Sequence, residues 1–342
     1  MPGKYLHAAL LLAVVFSTAA IRAQDSGKVA AKPLYRDPVY DGAADPVVVW
    51  NPKVKRWWMF YTNRRANAAN LTGVTWVHGT PIGIAESADG GATWKYVGTA
   101  DIKLPVSFGG KDVTLWAPDV TKGDDGKWHM FLTVVPGIFE DWQHPRDIVQ
   151  LTSEDLRKWE YDQTIKLSSD RVIDPSIMKL KNGAWRLWYN DERDKKSIYY
   201  ADSHDMKTWT DKGKAVGDKP GEGPKVFWWK GKYWMVNDQW HGLGVYRSDD
   251  ALNWEPKNDN LLAVPGKGLD DNVIGQHPDV VVSGDRAFLF YFTHPGRRPD
   301  DPVKTQTENR RSSMQVVELK LKDGWVICDR DTPTHILLSP IR

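Results

Sequence analysis

The chain has one cysteine, Cys328, among its 342 residues. A lone thiol cannot close an intramolecular disulfide, and a lipid anchor through a cysteine at an amino-terminal cleavage site is excluded as well. An excess of one charge is also missing: 46 Lys and Arg stand against 44 Asp and Glu, a formal net charge of +2. That balance argues against a nucleic-acid partner, which would need a basic face. Long apolar runs are absent apart from Ala8 to Ala20, which is too short to span a bilayer comfortably. With Lys4 before it and Ala23 closing a small-residue site, this run reads as a secretory signal over residues 1–23. The mature chain, 24–342, is therefore expected to be secreted or periplasmic, with no membrane partner. No stretch of it keeps a helical period, so helices should be few.

What the chain has in abundance is tryptophan, 18 residues, and a short phrase that returns five times. The copies read DPVVVW from Asp45, APDV from Ala117, DPSIM from Asp174, GPKVFW from Gly223 and HPDVVV from His277, with spacings of 72, 57, 49 and 54 residues. A residue before proline is pushed toward extended geometry, so each phrase is expected to start a strand with its first side chain at the strand's mouth. Each phrase is followed by an aromatic strand of the type WWMFYT, an alternating strand such as IGIAES, and a turn ending in Trp. Those turns read SADGGATW from Ser87, SEDLRKW from Ser153, SHDMKTW from Ser203 and SDDALNW from Ser248. Ser and Asp tighten such turns by bonding nearby backbone, and the Trp packs between sheets. A repeat of this length, one four-stranded antiparallel sheet per unit, predicts an all-β, five-bladed β-propeller forming a single domain over 24–342.

In a propeller the innermost strand of each blade lines the axis, so the phrases converge on one pocket. Asp45, Asp174 and Glu222 then meet. Hydrolysis of a glycosidic bond needs one carboxylic acid to protonate the leaving oxygen and one carboxylate to activate water on the opposite face. A third carboxylate near the acid helps to keep it protonated. Asp-Pro and Glu-Gly-Pro are also ordinary turn formers, but three in phase with a fivefold repeat favour chemistry.

The motifs resemble those of glycoside hydrolase family 43, the arabinanase- and xylosidase-like propellers, from about Asp41 to His294. The resemblance rests on ADP at Asp45, LWAPDV from Leu115, VIDPSIM with Asp174, and GEGPKVF with Glu222. It implies that Asp45 is the general base, Glu222 the general acid and Asp174 the residue that tunes and orients the acid, with inversion at the anomeric carbon. The related propellers of family 117 and the fructan-cleaving families share much of this plan. His277 heads the fifth axial strand, and the resemblance makes it a candidate ligand for an axial cation such as calcium; no other cofactor is expected. Arg64, Trp76, His78, Trp116, Trp142, His144, Trp240 and His241 lie in or beside the loops that follow inner strands, where they are candidates to hold an oligosaccharide or polysaccharide substrate.

The expected function is an exported inverting glycosidase acting on plant or algal polysaccharide fragments: arabinofuranosides, xylosides or galactosides. A catalytically inactive carbohydrate-binding propeller and an anhydro-galactosidase-type exo-glycosidase are the alternatives. A sialidase, suggested by the S-x-D-x-G-x-T-W pattern of SADGGATW, lacks its arginine triad and tyrosine nucleophile and would need six blades. The loops at Arg64 to Pro81, Pro136 to Arg146 and Gly296 to Arg311 are long enough to wall off one end of a cleft, which favours exo action.

Overall fold

The computed structural model describes residues 27–298 and 305–340, and the segment read as a signal lies outside them. Five antiparallel sheets follow one another along the chain, with inner strands Ala43–Asn51, Thr114–Lys122, Val172–Lys179, Glu222–Trp229 and Gln276–Ser283. Each inner strand packs beside the next, and the fifth packs beside the first, so the sheets close into a five-bladed propeller. Between the described blades lie separate apolar cores. Phe60, Leu132 and Trp159 fill the seam between blades one and two, and Trp188, Val226 and Tyr246 that between blades three and four. A fully buried Trp or Phe stabilises by roughly 1.5–3 kcal/mol relative to exposure, so the ring is held by five cores.

The turns behave as their residues require. Ser87, Ser153, Ser203 and Ser248 each accept backbone N–H groups of their own turn through Oγ, and the Asp two residues later accepts the N–H groups that follow. The seam between blades five and one is filled by the chain ends. Lys28–Val29 pairs with His335–Ile336, Leu34 and Tyr35 bond to Met314 of blade five, and Trp57 Nε1 donates to the Leu338 carbonyl at 3.2 Å. One sheet departs from the four-stranded plan: Asp101–Lys103, from the tail of blade one, runs parallel to the outer strand of blade two and covers its edge. Helix is confined to Gln306–Arg310 and three single 3₁₀ turns among the described residues, and none of these is long and apolar enough to cross a membrane.

The inner strands correct one expectation. The pre-proline residues are not extended: Asp45, Ala117, Asp174, Gly223 and His277 all have φ between 36° and 59°. In every blade, that residue and its proline stand opposite a single residue of the second strand, a β-bulge at the same place five times. Proline fits there because the bulge needs no ladder donor, and the extra residue re-aims the side chains around it. Left-handed φ costs a non-glycine residue about 1–3 kcal/mol, so the surrounding sheet must hold it. It does so from the neighbouring blade: Thr62 Oγ1 accepts the Ala117 N–H at 2.8 Å, Thr133 Oγ1 that of Asp174 at 2.9 Å, and Asp238 Oδ2 that of His277 at 3.2 Å.

Candidate active site

At each bulge the pre-proline residue, the one before it, or both face the axial cavity. Blade one contributes Asp45, blade two Trp116, blade three Ile173 and Asp174, blade four Glu222, and blade five Gln276 and His277, all lining one cavity of about 500 Å³. That volume is the size of a sugar-binding pocket. The fourth phrase carries glycine at its bulge for a reason: a Cβ on Gly223 would lie 2.7 Å from His277 Nδ1. Glu222 therefore sits one residue earlier in phase than Asp45 and Asp174, and enters the cavity from a different direction.

The carboxyl groups occupy contrasting surroundings. Arg64 Nη2 donates to both oxygens of Asp45, at 2.9 and 3.1 Å, and His277 Nδ1 lies 3.3 Å from Oδ1. Burial alone would raise the Asp45 carboxyl, but Arg64, His277 and Thr62 outweigh it and hold it below the usual range. Asp174 is pushed well up, by burial first and then by the negative charges of Glu222 and Asp45. Asp238, directly opposite Glu222 in the ladder, is pushed up to about 7 by burial and by Glu222. One side of the cavity thus keeps its carboxylate ionised while the other favours protons. That separation is what acid–base chemistry across a bond requires.

The structure brings Asp45, Asp174, Glu222, Arg64, Trp76, Trp116, Trp142, Trp240 and His277 around this one cavity. Three candidates do not reach it. His78 is wholly buried behind Trp116 and Trp142, with ring centroids 5.1 and 6.3 Å away, and burial pulls its imidazole down to about 4. Its hydrophilic look in the sequence misled because the loop folds it inward as packing. His241 is exposed outside the cavity and its carbonyl accepts from Asn260. His144 is likewise outside, stacked on Phe139 at 3.5 Å. Sequence reasoning missed Asp238, Lys196, Glu192, Arg146, Arg171, Arg297 and His294, which also line the cavity. A signal existed for Asp238: the second strands end in a polar residue, Thr62, Thr133, Asn190 and Asp238, opposite the residue before each bulge.

An axial cation at His277 does not fit the donor set. His277 would bring one imidazole, Asp45 beside it is engaged by Arg64, and among the described residues no group of three or more His, Cys, Asp and Glu is arranged to hold a metal ion. Two residues further along the inner strands, the axis already carries a positive charge. Lys225 Nζ lies 2.9 Å from Asp119 Oδ1 and 2.8 Å from Asp279 Oδ1, all three side chains being largely buried.

Comparison with known proteins agrees with this architecture. The chain is similar in fold to a thermostable family-43 glycoside hydrolase (19% identity, 90% of this chain and 99% of that one, TM-score 0.62). It is also similar to an exo-1,5-α-L-arabinanase from a bovine ruminal metagenomic library (17%, 86% and 99%, 0.58) and to a family-43 enzyme of Xanthomonas citri complexed with xylotriose (14%, 83% and 89%, 0.58). No curated protein sequence matches it. The family model described as glycosyl hydrolases family 43 matches residues 80–326, which takes in four of the five bulges and the inner strands that carry Asp174 and Glu222. A five-bladed propeller with carboxyl groups gathered at its axis, matched to that model over most of its length, makes this chain a member of glycoside hydrolase family 43.

Proposed function

We propose that the protein is an exported, inverting exo-glycosidase that removes arabinofuranosyl, xylosyl or galactosyl units from plant or algal polysaccharide fragments. Asp45 acts as general base on the attacking water, and its ion pair with Arg64 keeps it ionised and aimed. Glu222 protonates the leaving oxygen from the opposite side, and Asp174 is the buried neighbour that favours a proton on that side of the cavity. The observation that carries this reading is the contrast between Asp45, held low, and Asp174, pushed up, in a single cavity. Pentose substrates are supported by the likeness to an arabinanase and to an enzyme solved with xylotriose. Exo action is supported by Trp76, Trp142 and Arg297, which loop segments add to the cavity wall. Export rests on the amino-terminal sequence.

The test is an NMR time course on arabinan, xylan and galactan oligosaccharides. Inversion in the first-formed product, with monosaccharides released from the start, is the expected result. Retained configuration would remove Asp45 from the role of base, because a base needs room for water between the carboxyls, roughly 6.5–9.5 Å against about 5 Å for a nucleophile.

A further inference from the structure

Glu222 is held by a chain of alternating charges that reaches back into the protein. Lys196 Nζ donates to Glu222 Oε2 at 2.8 Å and lies 2.9 Å from Glu192 Oε1. Glu192 in turn meets Arg146, a residue 1% exposed, whose guanidinium is packed 5.5 Å from the Trp116 ring and tied through Nη2 to the Trp142 carbonyl. The backbone fixes the same link. Lys195 and Lys196 both have left-handed φ, 54° and 55°, in the hairpin turn of blade three, and the Lys196 carbonyl accepts the N–H of Gly221, the residue before Glu222. The ammonium also lies 5.1 Å from the Trp240 ring on the cavity wall.

An exposed Lys–Glu pair contributes little, and that would be the ordinary account of Lys196. Several features set this pair apart: one ammonium serves two carboxylates, the far end of the chain is fully buried, and the pair lines the cavity. The other groups facing Glu222 are carboxyls, Asp174 from blade three and Asp238 from blade four, while His277 and the Arg64–Asp45 pair lie across the axis. Lys196 is therefore the cation that touches the carboxyl on the acid side.

We propose that Lys196, braced by Glu192 and Arg146, is a positioning residue for Glu222. It holds the carboxyl through Oε2, leaves the other oxygen to carry the proton toward the leaving group, and stabilises the carboxylate that remains once that proton has gone. The proposal rests on Glu222 being the general acid.

The experiment compares kcat/KM across aryl glycosides of whichever sugar the protein hydrolyses, from dinitrophenyl to unsubstituted phenyl, for the full chain. Lys196→Met should lose about 10- to 100-fold on the phenyl glycoside, the size of one charge-assisted hydrogen bond, and less than about 3-fold on the dinitrophenyl glycoside, which departs without help. Lys196→Arg should restore most of the loss, and Glu192→Gln should show the same leaving-group dependence more weakly. Glu192→Gln also serves as the test should Lys196→Met fail to fold, as judged by its melting temperature. A loss that is uniform across the series, or no loss, overturns the role of Lys196. If Glu222→Gln itself shows a uniform loss, the acid assignment fails and this proposal with it; if Glu222→Gln discriminates between leaving groups and Lys196→Met does not, Lys196 alone is wrong.

Discussion

Two rings of charge surround the axis, one at the bulges and one two residues further along the inner strands, and they have opposite characters. The ring beyond the bulges is saturated: Lys225 sits between Asp119 and Asp279, and the second oxygens of those carboxylates accept the Ile177 and Val48 N–H groups of the next blades at 2.7 and 2.9 Å. The ring at the bulges gathers Asp45, Asp174, Glu222 and Asp238: Arg64 pairs with Asp45 and Lys196 with Glu222, while burial and the neighbouring carboxylates push Asp174 and Asp238 up and Asp45 is held low. Identical strands and similar residues thus give a rivet in one layer and a reactive site in the next. What separates them is whether each carboxylate finds a full set of donors.

The sharpest way to break this comparison is to disarm the upper ring without loosening the lower one. Asp45→Asn and Glu222→Gln should each lower kcat by about 10²–10⁴-fold on natural glycosides, the range of general acid–base catalysis, while the melting temperature stays near that of the parent. Steady-state kinetics beside calorimetry checks both halves; a variant that melts early would mean the upper ring is also structural.

The converse substitution is Lys225→Met. It strands two buried carboxylates and should destabilise the fold by roughly 3–5 kcal/mol, read as a shift in the urea midpoint. A stability loss below about 1 kcal/mol would show that the lower ring is not the rivet its geometry implies.

Asp238 sharpens the contrast through pH. Burial and the Glu222 charge push its carboxyl from the usual 3.8 up to about 7, so between those values the folded chain keeps a proton that the unfolded chain has released. Its contribution is present in full below about pH 4 and is lost as pH rises through about 7, a change of a few kcal/mol at most. Asp238→Asn should flatten the fall in melting temperature between pH 5 and 8. An unchanged slope would assign the pH dependence to other groups.

The smallest effect concerns His241, one of the residues that the structure places outside the cavity. His241→Ala should leave KM unchanged within about 2-fold and stability within about 0.5 kcal/mol, as for an ordinary surface substitution. A several-fold rise in KM would put His241 back in contact with substrate.

Much of this was legible in the chain because it is local. The five proline-led phrases set the number of blades, the Ser-x-Asp turns set where the outer strands of the first four blades begin, and the order ADP, WAP, IDPS and EGP pointed to Asp45, Asp174 and Glu222. Such signals depend on residues that touch within a few positions, and repetition makes them loud. The bulge residues were misjudged, since a pre-proline preference for extended backbone is a local rule that hydrogen bonds from Thr62, Thr133 and Asp238 of adjacent blades overrule.

By itself, then, the sequence determined an all-β ring of five units with carboxylates at its axis, because periodicity and turn chemistry are written residue by residue. Only the tertiary structure decided which groups those carboxylates meet. Arg64 on Asp45, Asp238 opposite Glu222, Lys196 between Glu192 and Glu222, and His78 buried as packing all follow from how loops and neighbouring strands close on one another. A charge's behaviour is set by what lies within a few ångströms of it, and for these carboxylates the partners lie 16 to 26 residues away along the chain, beyond the reach of local turn and strand rules.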